Sequence, residues 1–263
     1  MPANSSFAIR VYNCTVLLVT PDSNVSSVLE RLILPTLPRI ETAGIRADIS
    51  IRVAQSGAQL ELFIDDFLVK AAAAVEELVV ALIKVLDDAI VARLDPLRAI
   101  HSGAVGWGGR VILLPGSTHS GKSSLVAELL RRGAVYFSDE YSLIDDQGFV
   151  HPYPRPLLLR NGQPRQVPVL ASELSAAVAD TSAPVGWIFA LRYEPQSAWN
   201  VERMAQGEAV LTLLRNTPHF LSESPEMVAA FAKAVAGASF YAGQRPDVVE
   251  AADHILQMID GPV

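Results

Sequence analysis

Hydrophobic positions recur at two different spacings along this chain, and the switches between them mark its elements. FAIRVY and CTVLLVT read as short strands joined around Asn13. IRADISIRV alternates apolar and polar side chains, Ser56-Gly57 supplies a turn, and QLELFIDDFLV alternates again, which predicts a hairpin. From Lys70 to Arg93 the spacing becomes helical. Val75, Leu78, Val79, Leu82, Val85, Leu86, Ala89 and Ile90 form one apolar face with the charges largely opposite, the pattern of a helix packed on a core. Residues 1–95 therefore read as a small α+β unit.

Pro96 ends that helical stretch, and residues 96–263 read as a second, α/β domain. RAIHSGAVGW and RVILL are strand-like runs around Gly108-Gly109, a tight-turn signal. SLVAELLRR is helical and is closed by Gly133 just past its end. AVYFS is a short buried-type strand ending at Asp139-Glu140, and SLIDDQGFVH forms a hairpin about Asp146-Gln147-Gly148. A proline-rich passage, HPYPRP, leads into the strand LLLR. A helix is predicted through ASELSAAVAD, a strand at GWIFALRY, and helices at GEAVLTLLRN, EMVAAFAKAVAG and DVVEAADHILQMI, with the short run SFYAG between the last two.

Composition narrows the function classes. Half of the 263 residues are hydrophobic and 19% are charged, enough for a sizeable core. A net charge of −7 argues against a broad nucleic-acid partner, which needs a basic face, while permitting a basic pocket. Cys14 is the only cysteine, so neither an internal disulfide nor a cysteine-based zinc cluster is spelled out. The first residues lack a basic stretch followed by a long apolar run, and Ala71 to Ala92 carries Glu76, Glu77, Lys84, Asp87 and Asp88, unlike a membrane span. The expectation is a cytoplasmic protein without a membrane partner.

The chemistry concentrates at G-S-T-H-S-G-K-S-S, Gly116 to Ser124. The pattern G-x-x-x-x-G-K-S follows an apolar strand and opens a helix, the context in which it cradles phosphate. Gly116 and Gly121 let the backbone turn its N–H groups inward, with Ser117, Thr118, His119 and Ser120 between them, and the helix start adds a positive end. Lys122 is placed to reach the β- and γ-phosphates, and the Ser123 hydroxyl to join a Mg²⁺ shell, with Ser124 beside it. The expected cofactors are ATP and Mg²⁺.

Asp139 and Glu140 stand at the end of a strand expected to neighbour the loop strand. Two carboxylates beside bound phosphate can divide two tasks, holding the metal and accepting a proton from an attacking hydroxyl; the residues alone leave open which does which. His101 lies one hairpin before the loop, and that hairpin could bring it back beside the phosphates, although a lone histidine is more often structural. Arg155 and Arg160 can neutralise a transferring phosphate or hold an acidic substrate; surface ion pairs are the ordinary alternative.

The run IHSGAVGWGGRVILLPGSTHSGKSSLVAELLRRGAVYFSDEYSLID resembles the core of the HPr serine kinase/phosphorylase family. It is closer to the short HPr kinase-like proteins found with peptide-modification genes, including kinases of lasso-peptide pathways. The resemblance is best over Ile100 to Arg160 and weaker beyond. It implies a phosphoenolpyruvate carboxykinase-like P-loop kinase core and phosphoryl transfer from ATP to a serine hydroxyl of a peptide or small protein. On that basis Gly116 to Ser124 hold the nucleotide, and Ser123 and Asp139 support the metal. Asp139 and Glu140 occupy the paired acidic positions, His101 matches a histidine that assists the base, and Arg155 contacts phosphate or substrate. Full-length relatives assemble as oligomers, so a homo-oligomer is allowed here.

The chain departs from the family pattern at three places: His119 stands where glycine is common, Ser124 where bifunctional members have glutamate, and Glu140 where the second of two aspartates is usual. The longer C-terminal signature that engages HPr is absent, which leaves phosphorolysis and HPr itself outside the expectation. Two other functions share these residues: a small-molecule kinase on the same core, and a non-catalytic ATP sensor.

Overall fold

The structure, a computed structural model, describes residues 5–33, 35–116, 120–160, 162, 165–218 and 224–261. It is mixed α/β, and its contacts divide it into two compact units. One comprises Met1–Asp95 with Leu158–Leu170; the other comprises Pro96–Leu157 with Ala171–Val263. The segment 158–170 thus falls with the N-terminal unit, rather than with the domain in which its sequence position puts it.

In the first unit, β1 (Ser5–Val11) and β2 (Cys14–Thr20) form an antiparallel hairpin. Then come α1 (Ser23–Ile33), β3 (Arg39–Ile40), β4 (Ile49–Ser56), β5 (Gln59–Ile64), β6 (Phe67–Ala72) and α2 (Val75–Val91). The sheet order is β3-β1-β2-β4-β5-β6, with β2 and β4 parallel. Two differences from the sequence reading have local causes. QLELFIDDFLV is two strands rather than one, because Asp65 and Asp66 both adopt positive φ and turn the chain; short polar side chains tolerate that conformation. The resulting strand extends through Ala72, so the helix starts at Val75 and not at Lys70. The helix α1 went unread: Asp22 caps it by accepting from the N–H groups of Asn24 (2.8 Å) and Val25 (2.9 Å).

The second unit contains β7 (Arg98–Trp107), β8 (Arg110–Pro115), α3 (Lys122–Arg131), β9 (Val135–Ser138), β10 (Tyr141–Ile144) and β11 (Phe149–His151). A strand pair, β12 (Leu157–Leu159) with β13 (Val167–Val169), spans the boundary between the units in sequence. After it come β14 (Ala183–Tyr193), β15 (Asn200–Met204), α4 (Gln206–Arg215), α5 (Pro225–Ala236), β16 (Ser239–Arg245) and α6 (Val248–Asp260). The helix expected through ASELSAAVAD is only a 3-10 turn, Ala171–Leu174. Ser175 follows it in a left-handed conformation that stops propagation.

The main sheet of this unit has the order β11-β10-β7-β8-β14-β16-β15, with β9 also paired to β7. β8, β14 and β16 run parallel, whereas β7 is antiparallel to β8. Alternate residues face opposite sides. Ile100, Ala104, Val111, Leu113 and Ile188 pack with Leu213 of α4 and Phe231 of α5. On the other side α3 lies on β7, where a Cβ on Gly103 would stand 2.5 Å from Val126 Cγ2. Gly103 is therefore what lets the helix that begins at Lys122 sit this close to the sheet. No helix among the described residues is long and apolar enough to cross a membrane.

Candidate active site

The site is organised by β7, the strand between the loop and the acidic pair. On one edge β8 runs beside it to Ser102↔Pro115, and the Gly116 N–H donates to the His101 carbonyl (3.3 Å). On the other edge β9 and β10 follow one another along β7, and the chain breaks between them at Asp139-Glu140. The Ser102 N–H donates to the Glu140 carbonyl (3.1 Å) at that break. The expectation that the acidic strand neighbours the loop strand is therefore corrected. β8 has both edges filled, by β7 and by β14, so the acidic strand can pair only with β7. His101, in β7, stands between the two.

The loop leads into α3 through Gly121, whose φ of 79° is left-handed. Helix α3 starts at Lys122, so Ser123 and Ser124 lie in its first turn, where N–H groups lack intrahelical partners. The Lys122 Nζ donates to the Gly116 carbonyl (2.6 Å), tying the loop's end to its beginning. Burial pushes the Lys122 amine below its usual range, partly offset by the charges of Glu140 and Asp139. Ser117, Thr118 and His119 lie outside the described residues.

The two carboxyl groups are in opposite electrostatic situations. Asp139 is 1% exposed, and neither of its oxygens has a hydrogen-bond partner among the described residues. Burial raises its pKa, although Arg155, Ser123 and Lys122 pull the other way. Burial would raise Glu140 too, but His101, Arg155 and Lys122 together overcome it and hold the carboxyl at about 2. The contacts are His101 Nδ1 to Glu140 Oε1 at 3.6 Å and Arg155 Nη2 to Glu140 Oε2 at 4.0 Å. His101 also packs against the Tyr141 ring, with centroids 4.6 Å apart.

Arg155 arrives on the proline-rich segment, which is fastened beside β9. The Tyr153 N–H donates to the Phe137 carbonyl (2.9 Å), and the Tyr136 hydroxyl to the Arg155 carbonyl (2.8 Å). The guanidinium is 2% exposed and also donates to the Pro156 carbonyl (2.7 Å). The structure thus brings together Gly116, Ser120, Gly121, Lys122, Ser123, His101, Asp139, Glu140 and Arg155. Arg160 is exposed and falls with the first unit.

Sequence reasoning missed Arg245. At the end of β16 its guanidinium, 2% exposed, donates to the carbonyls of Ser120 and Gly121 (both 3.2 Å) and of Pro246 (3.0 Å). A Cβ at Gly121 would collide with it. The one available signal was an arginine closing the apolar run SFYAGQR before a proline.

The donor set suits a hard cation. Among the described residues no group of three or more His, Cys, Asp or Glu could hold a metal ion by itself. The buried Asp139 carboxylate, facing Ser123 of the loop helix, would supply instead the one or two oxygens that Mg²⁺ takes from a protein when phosphates and water complete its shell.

No protein-family model matches the chain, and no curated protein matches it. Among solved structures, the Hpr(Ser) kinase/phosphatase from Coxiella burnetii is a weak structural neighbour. It is 15% identical with a TM-score of 0.32, over 61% of this chain and 98% of that one. A likeness at that level carries no argument, so the functional reading rests on the site itself.

Proposed function

We propose that the protein is an ATP- and Mg²⁺-dependent kinase that transfers the γ-phosphoryl group to a serine hydroxyl of a peptide or small protein, on a carboxykinase-like core. The observation that carries this reading is the pairing of a buried, partnerless Asp139 with an ionised Glu140 at the same sheet end as the phosphate loop. A loop that only binds nucleotide needs no second carboxylate.

In this reading Asp139 and Ser123 hold Mg²⁺, which when bound would neutralise charge on the phosphates. Glu140 faces the acceptor and takes its hydroxyl hydrogen bond, then its proton. Its low pKa reflects the cations around it. A γ-phosphate that engages Arg155 and Lys122 would draw those charges away and make Glu140 more basic as the reactants assemble. His101 steadies Glu140 through its Nδ1, 3.6 Å from Oε1. Lys122 and the loop N–H groups stabilise the charge that spreads over the transferring phosphoryl group.

The test is incubation with γ-labelled ATP, Mg²⁺ and serine-containing peptides, including precursor peptides encoded nearby. Label on serine with the native protein, absent with Lys122→Ala, is the expected result. Equal labelling by both proteins, or release of free phosphate alone, overturns the assignment.

A further inference from the structure

The nucleotide's phosphates account for the loop but leave its base without a place, and the structure offers one at Tyr193. This residue ends β14, the strand parallel to and adjoining the loop strand β8. In open α/β sheets, ligands sit beyond the carboxyl ends of such parallel strands. Tyr193 is 45% exposed, whereas Tyr136 and Tyr141 of the same sheet are fully buried and the partly buried Tyr241 already stacks on Phe189. An aromatic left open at that end of the sheet has a surface to offer.

Its connection to the loop is direct. Tyr193 pairs in register with Arg245 across β14 and β16, and the Arg245 guanidinium carbon stands 5.1 Å from the centre of the Tyr193 ring. The same guanidinium holds the carbonyls of Ser120 and Gly121. Arg245 is therefore a single rigid link with the phosphate loop at one end and the exposed ring at the other. Its burial lowers the guanidinium's pKa, partly opposed by Tyr193 and Asp247, so the charge it presents is poorly hydrated and well suited to a ring face. The backbone is tied there as well: the Glu194 N–H, immediately after Tyr193, donates to the Arg245 carbonyl (3.2 Å).

We propose that Tyr193 is the stacking platform for the nucleobase of a nucleoside triphosphate whose phosphates occupy the Gly116–Ser124 loop, with Arg245 fixing platform and loop in one frame. This rests on the nucleotide-binding reading of that loop. Stacking on an aromatic face needs no donor–acceptor code from the protein. Because Arg245 holds the Ser120 and Gly121 carbonyls, the N–H groups of the same peptide planes, those of Gly121 and Lys122, point the opposite way.

The experiment measures binding of ATP and of inorganic tripolyphosphate, each with Mg²⁺, to the native protein, Tyr193→Ala and Tyr193→Phe, with a thermal melt of each. The expected result is that Tyr193→Ala loses about ten- to hundredfold in ATP affinity. Its tripolyphosphate affinity and melting temperature stay native, and Tyr193→Phe restores ATP binding. If native protein binds both probes and Tyr193→Ala binds ATP undiminished, the platform is refuted while the loop reading stands. Equal loss for both probes also refutes it, because the ring would then serve only to prop Arg245. Failure of the native protein to bind either probe overturns the nucleotide reading itself, and the platform with it.

Discussion

Asp139 and Glu140 are consecutive in the chain, yet one carboxyl is pushed above its ordinary range and the other is held at about 2. The break between β9 and β10 turns Asp139 into the protein interior, where desolvation dominates, and leaves Glu140 within reach of His101 and Arg155. Adjacent residues of the same charge type thereby acquire different chemistry. One carboxyl is pushed towards its neutral form by burial, and the other is held ionised by the cations beside it.

That difference makes Asp139→Asn informative. Asp139 has a raised pKa, so its contribution is full below pH 3.8 and is lost as pH rises through the folded value. At neutral pH the amide should therefore leave stability unchanged or raise it. Phosphoryl transfer should fall at least a hundredfold, and the dependence of ATP affinity on Mg²⁺ should flatten. Calorimetric ATP titrations with and without Mg²⁺, beside a thermal melt, check both halves.

Glu140 has the opposite sign. Its folded pKa lies below the unfolded one, so its stabilising contribution is present above about pH 4.5 and disappears as pH falls towards about 2. Glu140→Gln should lose on the order of 2 kcal/mol near pH 7 and little at pH 2. Urea unfolding across pH 2–7 should show the two curves converging at the acid end.

Lys122→Ala removes a half-buried cation that bonds Gly116 and is stabilised by the charges of Glu140 and Asp139. Charge-assisted hydrogen bonds are worth about 1.5–3 kcal/mol. ATP affinity should drop about ten- to hundredfold, with circular dichroism unchanged. Equilibrium binding of a fluorescent ATP analogue provides the measurement.

Gly103→Ala tests the seat of α3 without touching the site. The added Cβ would press on Val126, and the helix must shift or a side chain leave its rotamer. Overpacking of this kind costs about 1–3 kcal/mol. The melting temperature should fall by several degrees, and ATP affinity with it if α3 moves. An unchanged melt would show that Val126 yields freely.

Much of the frame could be read from the pattern alone. The β7–β8 hairpin around Gly108-Gly109 could be read because both glycines carry positive φ, a local demand that sequence states openly. The helices at Gln206–Arg215, Pro225–Ala236 and Val248–Asp260 could be read because their apolar faces recur at helical spacing. ASELSAAVAD misled because helical composition does not ensure a helix; the chain there instead supplies backbone groups to Tyr136, whose N–H donates to the Ala177 carbonyl (2.8 Å).

The sequence by itself determined the turn into α3, since Gly121, Lys122 and Ser123 are neighbours in the chain and form one turn and one helix start. It also named Asp139 and Glu140 but ranked neither. Only the tertiary structure decided their order, by inserting β7 between loop and acidic pair, burying one carboxyl and surrounding the other with His101 and Arg155. Arg245 reached the loop only through the parallel pairing of β16 with β14. Local turns depend on neighbours in sequence, whereas desolvation and charge depend on neighbours in space, and those are set by strand order.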